Sequence, residues 1–189
     1  MSRANYRRAF HLRGNDAAVR AAIAEDIATA QKLAGDEVDV ILAAGELARD
    51  QKQFDEGRKI LRRGCDIHPN DWRLYKALAR LEVADGHRPA AIDCLNTALQ
   101  RLPKQPDLLW DLAECQIDDG RKADAAVTIA RLAELGIPAP FLDCLTARIE
   151  MADSRWEEAA RRLETAFFGL NDLTLQRADA LAAPLATQA

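Results

Sequence analysis

WRLYKALARLEVADGHRPAAIDCLNTALQRLPKQ, from Trp72 to Gln105, is the stretch that decides the fold. Tyr75, Leu78 and Ala79 fall at helical spacing before Gly86, and Ala91, Leu95 and Ala98 do so after it. That spacing predicts two helices of about a dozen residues joined by a glycine turn, with Pro103 closing the unit. The stretch is 34 residues long, and its landmarks recur at that interval. Pro69 and Pro103 are one period apart, as are Pro106 and Pro140, and Gly86 and Gly120. Two series of small residues hold the same frame, Gly45, Ala79, Ala113, Ala147 and Gly57, Ala91, Ala125, Ala159. An aliphatic series, Leu61, Leu95, Ile129, Leu163, runs beside them. A fixed period of this length decides architecture before local structure does.

The columns have a physical reason. Where two antiparallel helices cross closely, one presents Ala or Gly so that the other can seat Leu or Ile. Proline at a helix start and glycine just past a helix end stand where each costs least. Composition agrees, since the 189 residues include 37 Ala and 24 Leu and are 49% hydrophobic but only 5% aromatic. Such a chain favours helix over a β-sandwich or barrel and is long enough for a real core. A formal net charge of -4 argues against a protein that coats nucleic acid or an anionic membrane. The basic N-terminus is followed by no apolar run, which predicts a cytoplasmic protein without membrane insertion.

Sites for enzyme chemistry are not evident. Cys65, Cys94, Cys115 and Cys144 are far apart and form no Cys-x-x-Cys or Cys/His cluster, so buried thiols are expected and no metal or other cofactor. His68 and His87 fall in turns, and no phosphate-cradling glycine loop, Gly-x-Ser-x-Gly or His-Glu-x-x-His is present.

Tyr75, Leu78, Ala79, Gly86, Ala91, Leu95, Ala98 and Pro103 together resemble the tetratricopeptide repeat family. Ile41, Ala44, Gly45, Phe54, Gly57, Leu61, Gly64 and Pro69 give the preceding unit, and Leu109 to Pro138 a third. In a fourth, Asp143 and Thr146 replace apolar residues, while Trp156, Ala159, Leu163 and Ala166 restore the frame. The resemblance implies an all-α, right-handed α-solenoid forming one domain. Its expected repeats are 38–71, 72–105, 106–139 and 140–170, preceded by N-terminal helices over 1–37 and followed by a capping helix and tail over 171–189.

The resemblance also assigns faces, because in such arrays the first helix of each unit lines a concave groove. The implied groove stripes begin with Asp39, Leu42, Glu46 and Arg49 in the first unit and Arg73, Lys76, Arg80 and Val83 in the second. Asp107, Trp110, Glu114 and Ile117 follow in the third, then Phe141, Cys144, Arg148 and Met151 in the fourth. Spacing of i, i+3, i+7 and i+10 independently places each set on one stripe. Charges alternate along the columns Asp39, Arg73, Asp107 and Glu46, Arg80, Glu114, Arg148, which predicts a ladder of ion pairs between neighbouring helices. The competing expectation is that Arg73, Lys76 and Arg80 receive a carboxylate of a partner peptide. Towards the C-terminal half the stripes become apolar, and Val83, Trp110, Ile117, Phe141, Cys144 and Met151 form the preferred contact surface. The Asn residues with which some family members grip an acidic chaperone tail are absent, Glu46 and Arg80 standing in their place.

Arg58, Lys59, Arg62 and Arg63, with Arg161 and Arg162 in the fourth unit, are expected on solvated outer helix faces. Tyr75 and Trp156 are expected in the repeats' own packing. The implied function is noncatalytic binding of a protein or peptide by a scaffold or adaptor. Two alternatives are a self-assembling oligomer and a regulatory segment of a longer enzyme or membrane-associated protein.

Overall fold

The computed structural model describes residues 17–170, with side chains from residue 21. The expected helix over 3–12 and the capping segment 171–189 lie outside the described residues. Among the described residues there are nine helices and no strand. The chain divides into two compact units, one ending at Leu108 and one beginning at Leu109. The first holds α1 (Ala17–Ala34), α2 (Val38–Asp50), α3 (Phe54–Ile67), α4 (Trp72–Ala84) and α5 (Arg88–Arg101). The division falls within α6 (Pro106–Asp118), and the second unit continues with α7 (Lys122–Glu134), α8 (Ala139–Ala152) and α9 (residues 156–170).

Local signals start and stop these helices. The Asp71 carboxylate accepts a 3.0 Å hydrogen bond from the Arg73 amide and so caps α4. Pro89 sits in the first turn of α5, where its missing N–H costs nothing. Every first helix ends in the same lock. The amides of Gln53, His87, Arg121 and Arg155 reach back to the carbonyls of Ala48, Glu82, Gln116 and Glu150 at 2.8 to 2.9 Å. This six-to-one bond needs the residue before the donor in the left-handed region. Gly86 (φ 82°) and Gly120 (φ 78°) supply it without strain, and Lys52 (φ 59°) and Ser154 (φ 61°) adopt it with a side chain.

The small columns let helices touch. In the first unit α2 packs on α3, α4 on α5, and α3 on α4. A Cβ built on Gly57 would come within 2.4 Å of Leu81 Cδ1, so the Leu81 side chain of α4 is seated directly on the α3 backbone there. Ala91, Ala113, Ala125 and Ala147 are fully buried, and Leu74, Leu81, Leu95, Leu109 and Leu132 fill the space between helices. Each such leucine contributes about 1.5–3 kcal/mol of transfer free energy.

A polar column lies inside this apolar frame. Glu82, Gln116 and Glu150, one period apart, are all less than a tenth exposed. Thr128 donates its hydroxyl to Gln116 Oε1 at 2.8 Å, and one period later Arg162 donates to both carboxylate oxygens of Glu150. In the first of the three hairpins that position is Cys94, a poor donor. Glu82 is served instead by Arg58 of α3, whose Nε and Nη2 lie 2.8 and 2.9 Å from its two oxygens.

Three sequence expectations change here. Arg58 is not on a solvated face, because its guanidinium also bonds Asp85 at 2.7 Å and Asp55 at 2.7 Å. Arg162 is likewise half-buried, held by Glu150 and Asp143. Trp156 and Leu163 do not join the packing: they are 60% and 40% exposed, because α8 meets the neighbouring line of α9, where Ala159 and Ala166 are buried and Gly169 abuts Pro140. Tyr75 is buried as expected and donates its hydroxyl to the Pro69 carbonyl at 3.2 Å.

Candidate functional site

The candidate stripes lie on α4 in the first unit and on α6 and α8 in the second. On α4, Arg73 reaches Asp39 Oδ1 on α2 at 3.1 Å and makes two bonds to Asp71, its own helix cap. The guanidinium of Arg73 holds the Asp71 carboxyl below its ordinary range. Lys76 bonds Asp107 at 3.0 Å and lies 5.6 Å from the centre of the Trp72 ring. Arg80 is exposed and Val83 half-buried. In the second unit Arg148 of α8 bonds Glu114 Oε1 at 2.8 Å and Asp118 Oδ1 at 2.6 Å, both on α6.

Asp39 with Arg73 and Glu114 with Arg148 are each 34 residues apart, so the alternating columns do form cross-helix pairs. Pairs this exposed are worth well under about 1 kcal/mol each and are screened by salt. Their consequence is for recognition. A carboxylate ligand must displace carboxylates already in place on Arg73, Lys76 and Arg148.

The apolar members separate. Phe141 is 42% and Met151 39% exposed on the outer stripe of α8, either side of Arg148, and Trp110 of α6 is half-buried. Ile117 is 6% exposed and belongs to the core. Cys144, on the α8 stripe, directs its Sγ to the Pro140 carbonyl at 3.3 Å.

Other chemistry is already committed. Glu82, Asp85 and His87 bring three ligand-type atoms within 4.8 Å of one another, but both carboxylates hold the Arg58 guanidinium, so a metal ion there would have to displace it. Burial pushes the Cys65 and Cys94 thiols up to about 12, which keeps them neutral and unreactive. No helix among the described residues is long and apolar enough to cross a membrane.

Sequence comparison sets these features in a family. Two family models, both of the tetratricopeptide repeat, match residues 38–81 and 82–136, together just over half of the chain. The chain is a tetratricopeptide repeat protein. A search of curated proteins found no match. Among solved structures, this tetratricopeptide repeat protein is similar to MamA, with a TM-score of 0.67 and 13% identity over 92% of this chain and 98% of that one. It is also similar to TTC0263, a thermophilic tetratricopeptide repeat protein of Thermus thermophilus, with a TM-score of 0.65 and 16% identity over 87% and 91% of the two chains. A third similarity is to YrrB, described as a tetratricopeptide repeat protein with an unusual peptide-binding site, with a TM-score of 0.57 and 13% identity over 86% and 80%. At these identities the likeness concerns the fold. Tetratricopeptide repeats form a protein–protein interaction module, and this chain is built as one.

The polar column was the functional-looking feature that sequence reading missed. Its signal was present, since Glu82, Gln116 and Glu150 share a frame. Acidic residues near a helix end read as solvated until their burial is known.

Proposed function

We propose that the protein is a noncatalytic adaptor that binds a peptide or partner helix through apolar anchors on the first helices of its repeats. Phe141 and Met151 carry this reading. They are exposed on one stripe of α8, and the cation between them, Arg148, is held by Glu114 and Asp118. Aromatic and Met side chains around a fixed charge are the composition of a contact core that takes apolar side chains and leaves polar groups at its rim. Trp110, on the same unit, adds a half-buried aromatic edge. The self-satisfied pairs of Arg73 and Lys76 favour an apolar-faced ligand over an acidic one. The peptide-binding site named for YrrB supports the same class of ligand.

The test is selection of peptides from a random library on the intact protein, followed by calorimetric titration. Phe141→Ala/Met151→Ala should weaken the selected peptide by about 10-fold or more, since truncating one or two anchors typically costs at least 1–2 kcal/mol. Far-UV circular dichroism should be unchanged. Arg73→Gln/Lys76→Gln should leave affinity within about 2-fold, as expected of charges at a rim. Equal affinity of wild type and the Phe141/Met151 variant would sink the reading.

A further inference from the structure

The α8 stripe has an electrostatic character as well as an apolar one. Arg148 stands between Phe141 and Met151, seven residues after the first and three before the second. Its guanidinium is shared by two carboxylates of α6, Glu114 Oε1 at 2.8 Å and Asp118 Oδ1 at 2.6 Å, and the three side chains are 37%, 42% and 43% exposed. Two carboxylates around one guanidinium leave one negative charge in excess beside the apolar anchors. The backbone adds to it. Asp118 is the last residue of α6 and Met151 lies in the last turn of α8, where the helix dipole presents its negative end. That end of α8 already takes one cation: Lys122 Nζ donates to the Ala152 carbonyl at 2.8 Å and pairs with Asp153. The surroundings carry the same sign. Residues 109–170 include 12 acidic and seven basic side chains, a net of -5 in a chain whose total is -4.

We infer that the partner segment held on α8 is basic: it seats apolar side chains on Phe141 and Met151 and places a lysine or arginine between them, against Glu114 and Asp118. This rests on the reading of α8 as the binding stripe and deepens it. An acidic segment would bring a third carboxylate to a guanidinium that already has two, and like charges set side by side cost affinity. A neutral segment would leave the excess charge uncompensated at the edge of a contact that excludes water. A basic side chain completes a two-by-two arrangement in which Arg148 gives up neither of its partners. Its aliphatic stem also covers apolar surface next to Met151 while the charged head stays wet. Charge complementarity of this kind sets specificity and association rate, and it weakens as salt rises.

The test titrates the full chain with three synthetic amphipathic peptides of about 18 residues, or five turns of helix. The first two share leucine and phenylalanine at their apolar positions and carry lysine or glutamate at the polar ones; the third keeps the lysines but has glutamine at the apolar positions. At about 50 mM NaCl the lysine peptide should bind at least about 10-fold more tightly than the glutamate peptide, narrowing to about 2-fold at about 500 mM. The third peptide should bind at least about 10-fold more weakly than the first, as should the first to Phe141→Ala/Met151→Ala. Glu114→Gln/Asp118→Asn should bring the two charged peptides within about 2-fold of each other. Arg148→Gln, which releases both carboxylates, should instead tighten the lysine peptide several-fold, a gain that an unfolded variant cannot mimic. Equal affinity for the two charged peptides, a lysine preference that survives Glu114→Gln/Asp118→Asn, or weaker lysine-peptide binding in Arg148→Gln would each overturn the basic assignment. The α8 reading outlives those results where binding still depends on Phe141 and Met151, whereas failure of every peptide to bind would overturn both.

Discussion

Lys52 and Ser154 occupy the position that Gly86 and Gly120 fill in the other two hairpins, and all four share a positive φ. A side chain in that region costs roughly 1 kcal/mol that glycine avoids. Lys52→Gly and Ser154→Gly should therefore each stabilise the protein by about 0.5–1 kcal/mol, measured by urea unfolding, although glycine elsewhere in a helix destabilises. The reverse change, Gly86→Val, should cost at least about 1 kcal/mol, because a β-branched residue resists this backbone most. Thiol chemistry belongs to the same scale. With Cys65 and Cys94 pushed up to about 12 by burial, iodoacetamide at pH 8 should leave both unmodified in the native protein and label both in urea. Labelling of either at the rate of a free thiol would contradict the burial described.

Arg58 bonding to Glu82 joins α3 to α4, whereas Thr128 to Gln116 and Arg162 to Glu150 each join the two helices of one hairpin. Removing a partner from a buried pair costs about 3–5 kcal/mol, and less where one side chain is partly exposed, so Arg58→Met should cost about 2–4 kcal/mol. Arg58→Met/Glu82→Met should recover most of that loss in a double-mutant cycle, since the stranded carboxylate is the larger part of the cost. Overpacking gives the apolar counterpart: Ala91→Leu, at a fully buried crossing, should lower stability by about 1–3 kcal/mol in the same assay. The helices and their small columns were legible in the sequence because Gly and Ala at a fixed period report close crossing directly. Arg58 was not, because four basic residues within six positions read as one face. Only the position of α4 shows which of them is buried against Glu82.

At the scale of the whole molecule, acid sensitivity follows from three carboxyls. Arg73 lowers Asp71, Arg162 lowers Glu150 and Lys122 lowers Asp153, each through a hydrogen bond to the charged form. A carboxyl lowered in the folded state contributes stability that is complete above its unfolded value and is lost as pH falls through the folded one. Thermal midpoints should thus be flat near neutrality and fall below about pH 4.5, where unfolded carboxyls take up protons. Arg162→Met should make the acid limb shallower, and an unchanged limb would remove Glu150 from the account. The repeat architecture could be read in advance because 34-residue periodicity is a property of the chain. Surface identity could not, since Ile117 and Met151 hold equivalent places and only packing sends one inward and leaves the other 39% exposed. The Arg58 to Glu82 bond carries a further meaning for ancestry and engineering. Hairpins that share a turn lock invite shuffling, yet residues 72–105 moved elsewhere in the array would leave Arg58 behind and bring Glu82 to a neighbour with no guanidinium to offer. The order of the first two repeats is thereby written into the molecule, and copies of this unit made by duplication must acquire their own cation before they can stack.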